Sequence, residues 1–138
     1  MSEADLMRMA IEKTREGIAA GQSPSLTMTD PTAHAEVNCL RLAASTLKTI
    51  DLKGCTLFST CEPCPMCLAA IHWAKVDRVV FGATIDDAAE AGFCELHVAA
   101  DALAEMGRSP LKVEGGLLRQ ECAALFAEWK KAGLSGAY

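Results

Sequence analysis

The sequence predicts an α/β fold in which helices and strands alternate along 138 residues. The first observation behind this prediction is a strand–helix–strand order in the middle of the chain, which is typical of parallel strands joined by a helical crossover. The second is the composition, 51% apolar and 22% charged, which is that of a globular domain with a core. The length fits one domain, residues 1–138, and is too short for two.

The first third of the chain predicts two helices separated by a loop. Residues 4–20 carry apolar side chains at helical spacing and are followed by Gly21, a typical helix stop. Residues 22–32 contain two prolines and are predicted to be a loop. Residues 35–47 are rich in alanine and leucine and predict the second helix, for which Thr32 is a candidate N-cap.

The remainder of the chain alternates strands with helices, as hydrophobic periodicity and turn residues indicate. The predicted elements are, in order, strand 55–59, helix 65–75, strand 78–82, helix 99–107, strand 111–114 and helix 117–132. The final helix carries its apolar residues on one side, as expected of a helix that packs against a neighbouring layer.

Charge and cysteine content narrow the class of function. The formal net charge is −5 and Lys and Arg do not cluster, which disfavours nucleic acid as the main partner because phosphate binding needs positive charge. No apolar run is long enough to span a bilayer and the N-terminus lacks a signal-peptide layout, so we expect no membrane association and a cytoplasmic protein. The odd number of cysteines, seven, favours metal ligands and buried thiols over a disulfide framework.

Two short clusters have the composition of a zinc site. His34 begins the second predicted helix, and Cys64 and Cys67 lie three residues apart at the start of the third, where the helix dipole favours a thiolate. Catalytic zinc takes three protein ligands and leaves the fourth tetrahedral position to water. These three residues, with no evident fourth ligand, predict one catalytic Zn²⁺ per subunit. Of the other thiols, Cys61 is expected at a strand end, and three are expected in the core: Cys39, Cys55 and Cys122.

Glu36 is the candidate general acid–base, because it lies two residues after His34 and can reach water at the zinc without ligating the metal. Either cluster alone has other interpretations. His-x-Glu occurs by coincidence at helix starts, and Cys-x-x-Cys also occurs in redox pairs and structural zinc sites. Together, His-x-Glu and Pro-Cys-x-x-Cys form the signature of zinc deaminases, so the chain resembles the cytidine/deoxycytidylate deaminase superfamily.

Longer stretches resemble bacterial guanine deaminase over roughly half the chain, from residue 30 to residue 95. They are Asp30-Pro31-Thr32-Ala33-His34-Ala35-Glu36-Val37, Cys61-Glu62-Pro63-Cys64-Pro65-Met66-Cys67 and Asp87-Ala88-Ala89-Glu90-Ala91-Gly92-Phe93. The resemblance implies a cytidine deaminase-like three-layer α/β/α sandwich with a central mixed sheet. It also implies hydrolysis of guanine to xanthine and ammonia in purine metabolism, by a homodimer that exchanges C-terminal segments.

The same resemblance implies three further site residues. Trp73 matches a tryptophan that packs against the base, Glu95 matches an acid that contacts the purine amino edge and helps to move protons, and Tyr138 matches a terminal tyrosine that closes over a pocket. The alternatives are, in turn, a core tryptophan, a solvated loop acid and a frayed terminus. The local environment of Glu95 differs from the family, which more often has an acid where this chain has Cys94.

The segment before His34 departs from the guanine deaminase pattern. The family has a β-hairpin there, with an asparagine that hydrogen-bonds the base, whereas residues 22–32 leave no room for two strands and a turn. The first β-hairpin is therefore predicted either to be missing from the fold or to belong to a segment that this sequence leaves out. Its loss is expected to leave one side of the pocket open and to expose a strand edge.

Several functions share the same catalytic core. Guanosine, cytosine, an aminotriazine and transfer-RNA adenosine are alternative substrates, the last disfavoured by the acidic balance of the chain. A non-enzymatic alternative is a zinc-binding scaffold whose pocket is disabled by the missing hairpin. Glu36 argues against this alternative, because a structural zinc site has no use for a carboxylate beside its ligands.

Overall fold

The structure, a computed structural model, describes residues 1–134. The elements in chain order are α1 (Glu3–Ala19), α2 (Pro24–Met28), α3 (Ala35–Leu47), β1 (Thr56–Cys61), α4 (Pro65–Trp73), β2 (Arg78–Ala83), α5 (Ile85–Glu90), α6 (Ala100–Met106), β3 (Lys112–Glu114) and α7 (Arg119–Lys131). The predicted α/β class is confirmed, and every predicted helix and strand has a counterpart here.

The three strands form one sheet in the order β1-β2-β3, and both pairings are parallel. The connection from β1 to β2 contains α4, and the connection from β2 to β3 contains α5 and α6. The described strands therefore form a parallel sheet rather than the mixed sheet that the resemblance implies. The reason lies in residues 22–32, which hold the short helix α2 and supply no antiparallel strand.

Helices cover both faces of the sheet, as the three-layer prediction requires. On one face α1 and α7 pack together and against the strands. Their buried cluster consists of Met7, Ile11, Ala83, Cys122 and Leu125. On the other face α3 packs on α4, and α4 on α6. The buried cluster there includes Leu40, Leu57, Leu68, Ile71, Val79 and Ala104.

The close approach of α7 to the central strand depends on Gly82. A Cβ atom at this position would lie 2.2 Å from the Sγ atom of Cys122 and 2.7 Å from its Cβ atom. Contacts this short would force the helix away from the sheet. Glycine in β2 therefore sets the position of α7, whose side chains reach the functional site described below.

Two short helices and one cap differ from the sequence predictions. α2 lies in the segment predicted as a loop, and α5 begins with a capping box between Thr84 and Asp87 that the periodicity did not indicate. Thr32 is not the N-cap of α3, because its hydroxyl donates to Asp30 at 2.6 Å and His34 occupies the cap position. Among residues 1–134 the structure contains no helix of the length and apolar content that a bilayer crossing requires.

A bidentate ion pair joins α5 to α7. Arg119 donates from Nε and from a terminal nitrogen to the two oxygens of Asp87, at 2.9 and 3.1 Å. These hydrogen bonds lower the pKa of Asp87 to about 2. Since an aspartate in an unfolded chain has a pKa of about 3.9, the resulting stabilisation is complete above about pH 5 and is lost as the pH falls towards 2.

We expect Asp87→Asn to lower the free energy of unfolding by about 1 kcal/mol at neutral pH, a modest value because the guanidinium of Arg119 is half exposed. The difference between the variant and the parent should shrink as the pH falls from about 5 to 3, because Asp87 takes up a proton in the unfolded parent chain while its carboxylate stays ionised in the folded one. Urea unfolding of both proteins across this range measures the effect. A difference that stays constant down to pH 3 would contradict the assignment.

Candidate metal centre and adjoining pocket

Two helix starts bring the predicted zinc ligands together. His34 is the N-cap residue of α3, Cys64 is the N-cap residue of α4, and Cys67 lies in the first turn of α4. Neither the imidazole of His34 nor the thiol of Cys64 makes a capping hydrogen bond. Both cysteines are buried and His34 is half-buried. The packing of α3 on α4 therefore converts two distant motifs into one cluster.

The distances within the cluster fit a tetrahedral zinc ion. His34 Nδ1 lies 3.6 Å from Cys64 Sγ and 3.4 Å from Cys67 Sγ. A nitrogen and a sulfur that bind the same tetrahedral zinc, at about 2.0 and 2.3 Å, lie about 3.5 Å apart. The three ligand atoms all lie within 4.8 Å of one another. One imidazole and two thiols thus have the separation and the chemistry that zinc requires.

The two thiols of the cluster differ in how readily they lose a proton. A hydrogen bond from Cys67, supported by one from His34, lowers the pKa of Cys64 to about 4. The hydrogen bond with Cys64 and the burial of the side chain raise the pKa of Cys67. The two sulfurs therefore share one proton between them, and a divalent cation between the sulfurs would take the place of that proton.

Glu36 lies beside the cluster without belonging to it. Its Oε2 atom is 3.6 Å from Cys67 Sγ, and its Oε1 atom is 3.3 Å from the hydroxyl of Ser59. Burial raises the pKa of the Glu36 carboxyl, so the group is more readily protonated than an exposed glutamate. A carboxyl group with this placement can exchange protons with water at the metal.

Ser59 is a site residue that the sequence prediction missed. It lies on β1, and its hydroxyl donates to the carbonyl of Cys61 at 2.7 Å as well as approaching Glu36. A half-buried polar side chain on a strand needs a partner, and that was the available signal. The contact holds one oxygen of the Glu36 carboxyl in place.

A cavity of about 240 Å³ opens onto the cluster of predicted zinc ligands. Its lining includes His34, Glu36, Cys64, Phe93, Glu95 and Phe126. The rings of Phe93 and Phe126 have their centroids 5.4 Å apart and form one apolar wall. Burial raises the pKa of Glu95, which is half-buried in the same cavity. The structure therefore brings Glu95 into the same cavity as the predicted zinc ligands. That Phe93 and Phe126 line this cavity had not been predicted from the sequence.

One predicted site residue, Trp73, is not brought to this cavity. Trp73 lies six residues after Cys67, which places it about 9 Å further along α4 and on another side of the helix. Its side chain is 81% exposed and lines neither this cavity nor the larger one beside it, so it is not a core tryptophan and its contact with the base stays a prediction. Tyr138 lies outside the described residues, and its role also stays a prediction.

The remaining thiols follow their predicted places with one exception. Cys122 is buried, Cys55 packs against the core, and Cys61 at the end of β1 is half-buried with its Sγ atom 3.9 Å from the Thr84 carbonyl. The prediction of a core position for Cys39 is wrong, because its residue is exposed on α3. α3 packs on α4, and the next residue, Leu40, is the one that is buried in the core there.

Glu62 ties the cysteine motif to the segment that carries Phe93 and Glu95. The residue is 9% exposed, and its carboxylate accepts hydrogen bonds from the backbone nitrogen atoms of Ile85 at 3.0 Å and Ala100 at 2.7 Å. These two nitrogen atoms lie at the beginnings of α5 and α6, and the segment between the two helices forms one wall of the cavity. Glu62 therefore fixes both ends of that wall.

We expect Glu62→Ala to lower the free energy of unfolding by about 3 kcal/mol, because it leaves two buried N–H groups without an acceptor. Urea unfolding with the zinc-loaded protein measures this loss. Glu90→Ala, which removes an exposed carboxylate from α5, is the control and should change the free energy by less than about 0.5 kcal/mol. Equal effects of the two substitutions would show that the Glu62 carboxylate is not a structural clamp.

Known proteins share both the motifs and the fold. Residues 5–83 match the family model described as the cytidine and deoxycytidylate deaminase zinc-binding region. Guanine deaminase of Bacillus subtilis is 53% identical over 76 residues, which are 55% of this chain and 49% of the relative. A tRNA-specific adenosine deaminase of Haemophilus influenzae is 33% identical over 123 residues, 89% of this chain and 69% of the relative.

Among solved structures, a guanine deaminase from Nitrosomonas europaea superposes with a TM-score of 0.85 at 27% identity. That superposition covers 94% of this chain and 85% of the other. The match with the Bacillus subtilis guanine deaminase is shorter, and there the chain spans about half the length of the relative.

Proposed function

The chain belongs to the cytidine and deoxycytidylate deaminase zinc-binding family, and from this premise we propose that it is a zinc-dependent hydrolase that converts guanine to xanthine and ammonia. The observation that carries the proposal is a three-ligand cluster with a separate buried carboxyl 3.6 Å from one ligand sulfur. The guanine deaminases of Bacillus subtilis and Nitrosomonas europaea, to which this chain is similar, support the choice of substrate.

In this proposal His34, Cys64 and Cys67 would hold zinc, and the ion would lower the pKa of a water molecule to near 7. Glu36 takes the proton from the attacking water and delivers it to the ring nitrogen beside the reacting carbon. It then passes a proton to the departing amino group, so that ammonia leaves. The raised pKa of Glu36 suits both duties, because burial lets this carboxyl hold a proton more readily than an exposed glutamate does, so that it can act as acid as well as base.

The wall of the smaller cavity supplies the proposed recognition of the base. The amino group of guanine and its adjacent ring N–H are both donors, and the carboxylate of Glu95 is an acceptor in the same cavity as Glu36. Phe93 and Phe126 offer apolar faces to a planar ring and exclude water from that side. We therefore propose that Glu95 orients the ring and Glu36 moves the protons.

A second candidate function is deamination of adenosine in transfer RNA. The similarity to the Haemophilus influenzae enzyme favours it, because it extends over 89% of this chain. The formal net charge of −5 disfavours it, because an RNA substrate needs a positive surface. Guanosine, cytosine and aminotriazines stay as further substrates to be tested, and a zinc scaffold without activity stays as the non-enzymatic alternative.

We further propose that the enzyme is a cytoplasmic homodimer of purine metabolism. All seven cysteines are free thiols, which suits a reducing compartment. Leu42 of α3 and Trp73 of α4 are respectively 70% and 81% exposed on two helices that pack side by side. Exposed apolar side chains of this size favour a protein interface. Exchange of the C-terminal segment, with Tyr138 over the partner's pocket, belongs to the same proposal.

The test of the proposed function is ammonia release by the zinc-loaded protein. The panel contains guanine, guanosine, cytosine, adenine, an aminotriazine and a transfer-RNA anticodon stem. We expect release with guanine and not with the nucleic acid. Ammonia release with the anticodon stem alone would replace guanine deamination by deamination of adenosine in transfer RNA. No ammonia release with any of the six compounds, at full zinc occupancy, would favour a zinc-binding scaffold without activity.

A further inference from the structure

A second, larger cavity of about 770 Å³ lies beside the metal centre, bordered by α1, α7 and the edge strand β1. It joins the smaller cavity at Glu36, because both cavities are lined by Glu36, Phe93 and Phe126. Sites for drug-sized ligands occupy about 300–1,000 Å³, so the larger cavity falls in this range and the smaller one, suited to a bare ring, falls below it. Deamination of guanine alone would leave the larger cavity without a ligand.

The walls of the larger cavity are mainly apolar. They include Ile18, Leu57, Phe58, Leu125, Phe126 and Trp129. Of the described residues that line it, Lys13 and Glu36 carry charge, and Lys13 is exposed and paired with Glu16 at 2.8 Å. Apolar side chains outweigh the neutral polar ones in the lining, and such a lining does not compensate the lost hydration of a phosphate. The neutral polar side chains are those of Thr14, Gln22, Ser23, Thr27, Ser59 and Thr60. An apolar group would instead gain free energy when it leaves water for this cavity.

The place of the cavity in the fold explains why it is open. Among the described strands β1 pairs with β2 alone, so its other edge faces the cavity. The short helix α2 contributes Thr27 and Met28 at one end, and no strand follows it before α3. The cavity therefore continues directly from the catalytic carboxyl of Glu36 into an apolar space.

We propose that this larger cavity is a second compartment of the substrate site, which binds an apolar substituent carried by the ring that is deaminated. The inference rests on the proposed function and narrows its substrate class to amino-substituted nitrogen heterocycles with an apolar group of about benzyl size. The substituent takes no part in the chemistry: water adds to the amino-bearing carbon, the carbon–nitrogen bond breaks and ammonia leaves.

Binding measurements on the Glu36→Gln protein, loaded with zinc, test the proposal without turnover. The ligands are guanine, three derivatives with a benzyl group at N7, C8 or N9, and guanosine as a polar control. We expect at least one benzyl derivative to bind about tenfold more tightly than guanine, because burial of an aromatic ring adds free energy. Guanosine should gain less affinity than the benzyl derivatives, because its ribose buries less apolar surface against walls that are mainly apolar.

Gly17 offers a matched pair of variants that fill the compartment. It lies on α1 in the lining of the larger cavity and outside that of the smaller one, and an added Cβ atom would be 3.5 Å from the Gln22 carbonyl, an ordinary contact. Gly17→Leu should lower the affinity for the tightest-binding benzyl derivative about tenfold and change the affinity for guanine by less than about twofold. Gly17→Ala, which adds only a methyl group, should leave both affinities within about twofold.

The outcomes separate this inference from the proposed function. Turnover of guanine by the unmodified enzyme, with no benzyl derivative binding more tightly, would overturn the second compartment and leave guanine deamination standing. Tight binding and turnover of a benzyl derivative that Gly17→Leu abolishes, without turnover of guanine, would support the compartment and overturn guanine as the substrate. If Gly17→Leu weakens guanine as much as the benzyl derivative, the two cavities are not separate compartments and the inference is wrong.

Discussion

Glu36→Gln is expected to reduce kcat by about 10²–10⁴-fold while the protein keeps its zinc. Glutamine has the shape of glutamate and can still accept a hydrogen bond from Ser59, so the site keeps its geometry. It cannot take a proton from the attacking water, which is the duty proposed for the carboxyl. Steady-state kinetics with guanine and zinc content by mass spectrometry are the two measurements. They separate a chemical defect from a loss of metal.

A matched control for this variant is Glu12→Gln, which removes one negative charge from the exposed side of α1. It should leave kcat and zinc content unchanged, because surface substitutions away from a site have small effects. Full turnover by the Glu36→Gln protein would remove Glu36 from the mechanism. Loss of zinc from that variant would instead make Glu36 part of the metal site.

Cys64→Ala is expected to lower the affinity for zinc by more than about a hundredfold and to abolish deamination. Two protein ligands would remain, and even partners in the outer shell of a zinc site contribute about 10–100-fold to affinity. The thermal midpoint should also fall at saturating zinc, because a metal that binds only the folded chain stabilises it. Zinc titration with a competing chelator and a thermal melt with and without zinc measure these effects.

Cys94→Ala is the matched control for Cys64→Ala, because it removes a different thiol from the same chain. Cys94 is an exposed thiol outside the ligand cluster, so its removal should leave zinc affinity and activity unchanged. A Cys64→Ala protein that binds zinc as tightly as the Cys94→Ala protein would contradict the ligand assignment. Equal loss in both would indicate that thiols in general, rather than the cluster, hold the metal.

Local signals explain why the elements of the fold could be predicted. α3 begins and ends where the alanine- and leucine-rich segment does, and β2 is a short apolar run buried along most of its length. Helical periodicity and short apolar strands depend on neighbours within a few residues, so the sequence displays them directly. α5 was missed although Thr84 and Asp87 form a capping box, because a helix of six residues has too little periodicity to be recognised.

Residues distant in the chain were harder to place. The hydrogen bonds from Ile85 and Ala100 to Glu62 link positions 23 and 38 residues away, and nothing in the local pattern around Glu62 indicates them. Phe93 and Phe126 meet across 33 positions of sequence because α7 packs against the sheet. Such contacts depend on how whole layers pack, and many apolar sequences would satisfy the same local pattern.

The proposed zinc ligands and the proposed acid–base residue could be named from the sequence because their chemistry needs a particular spacing: two thiols three residues apart at a helix start, and a carboxylate two residues after an imidazole. Packing of α3 on α4 was needed to bring His34 within 3.6 Å of Cys64. Packing also left Trp73 exposed and opened the apolar cavity beside Glu36. Motif spacing is a property of the backbone within one turn, whereas cavities and exposure are properties of the space between elements that are distant in sequence.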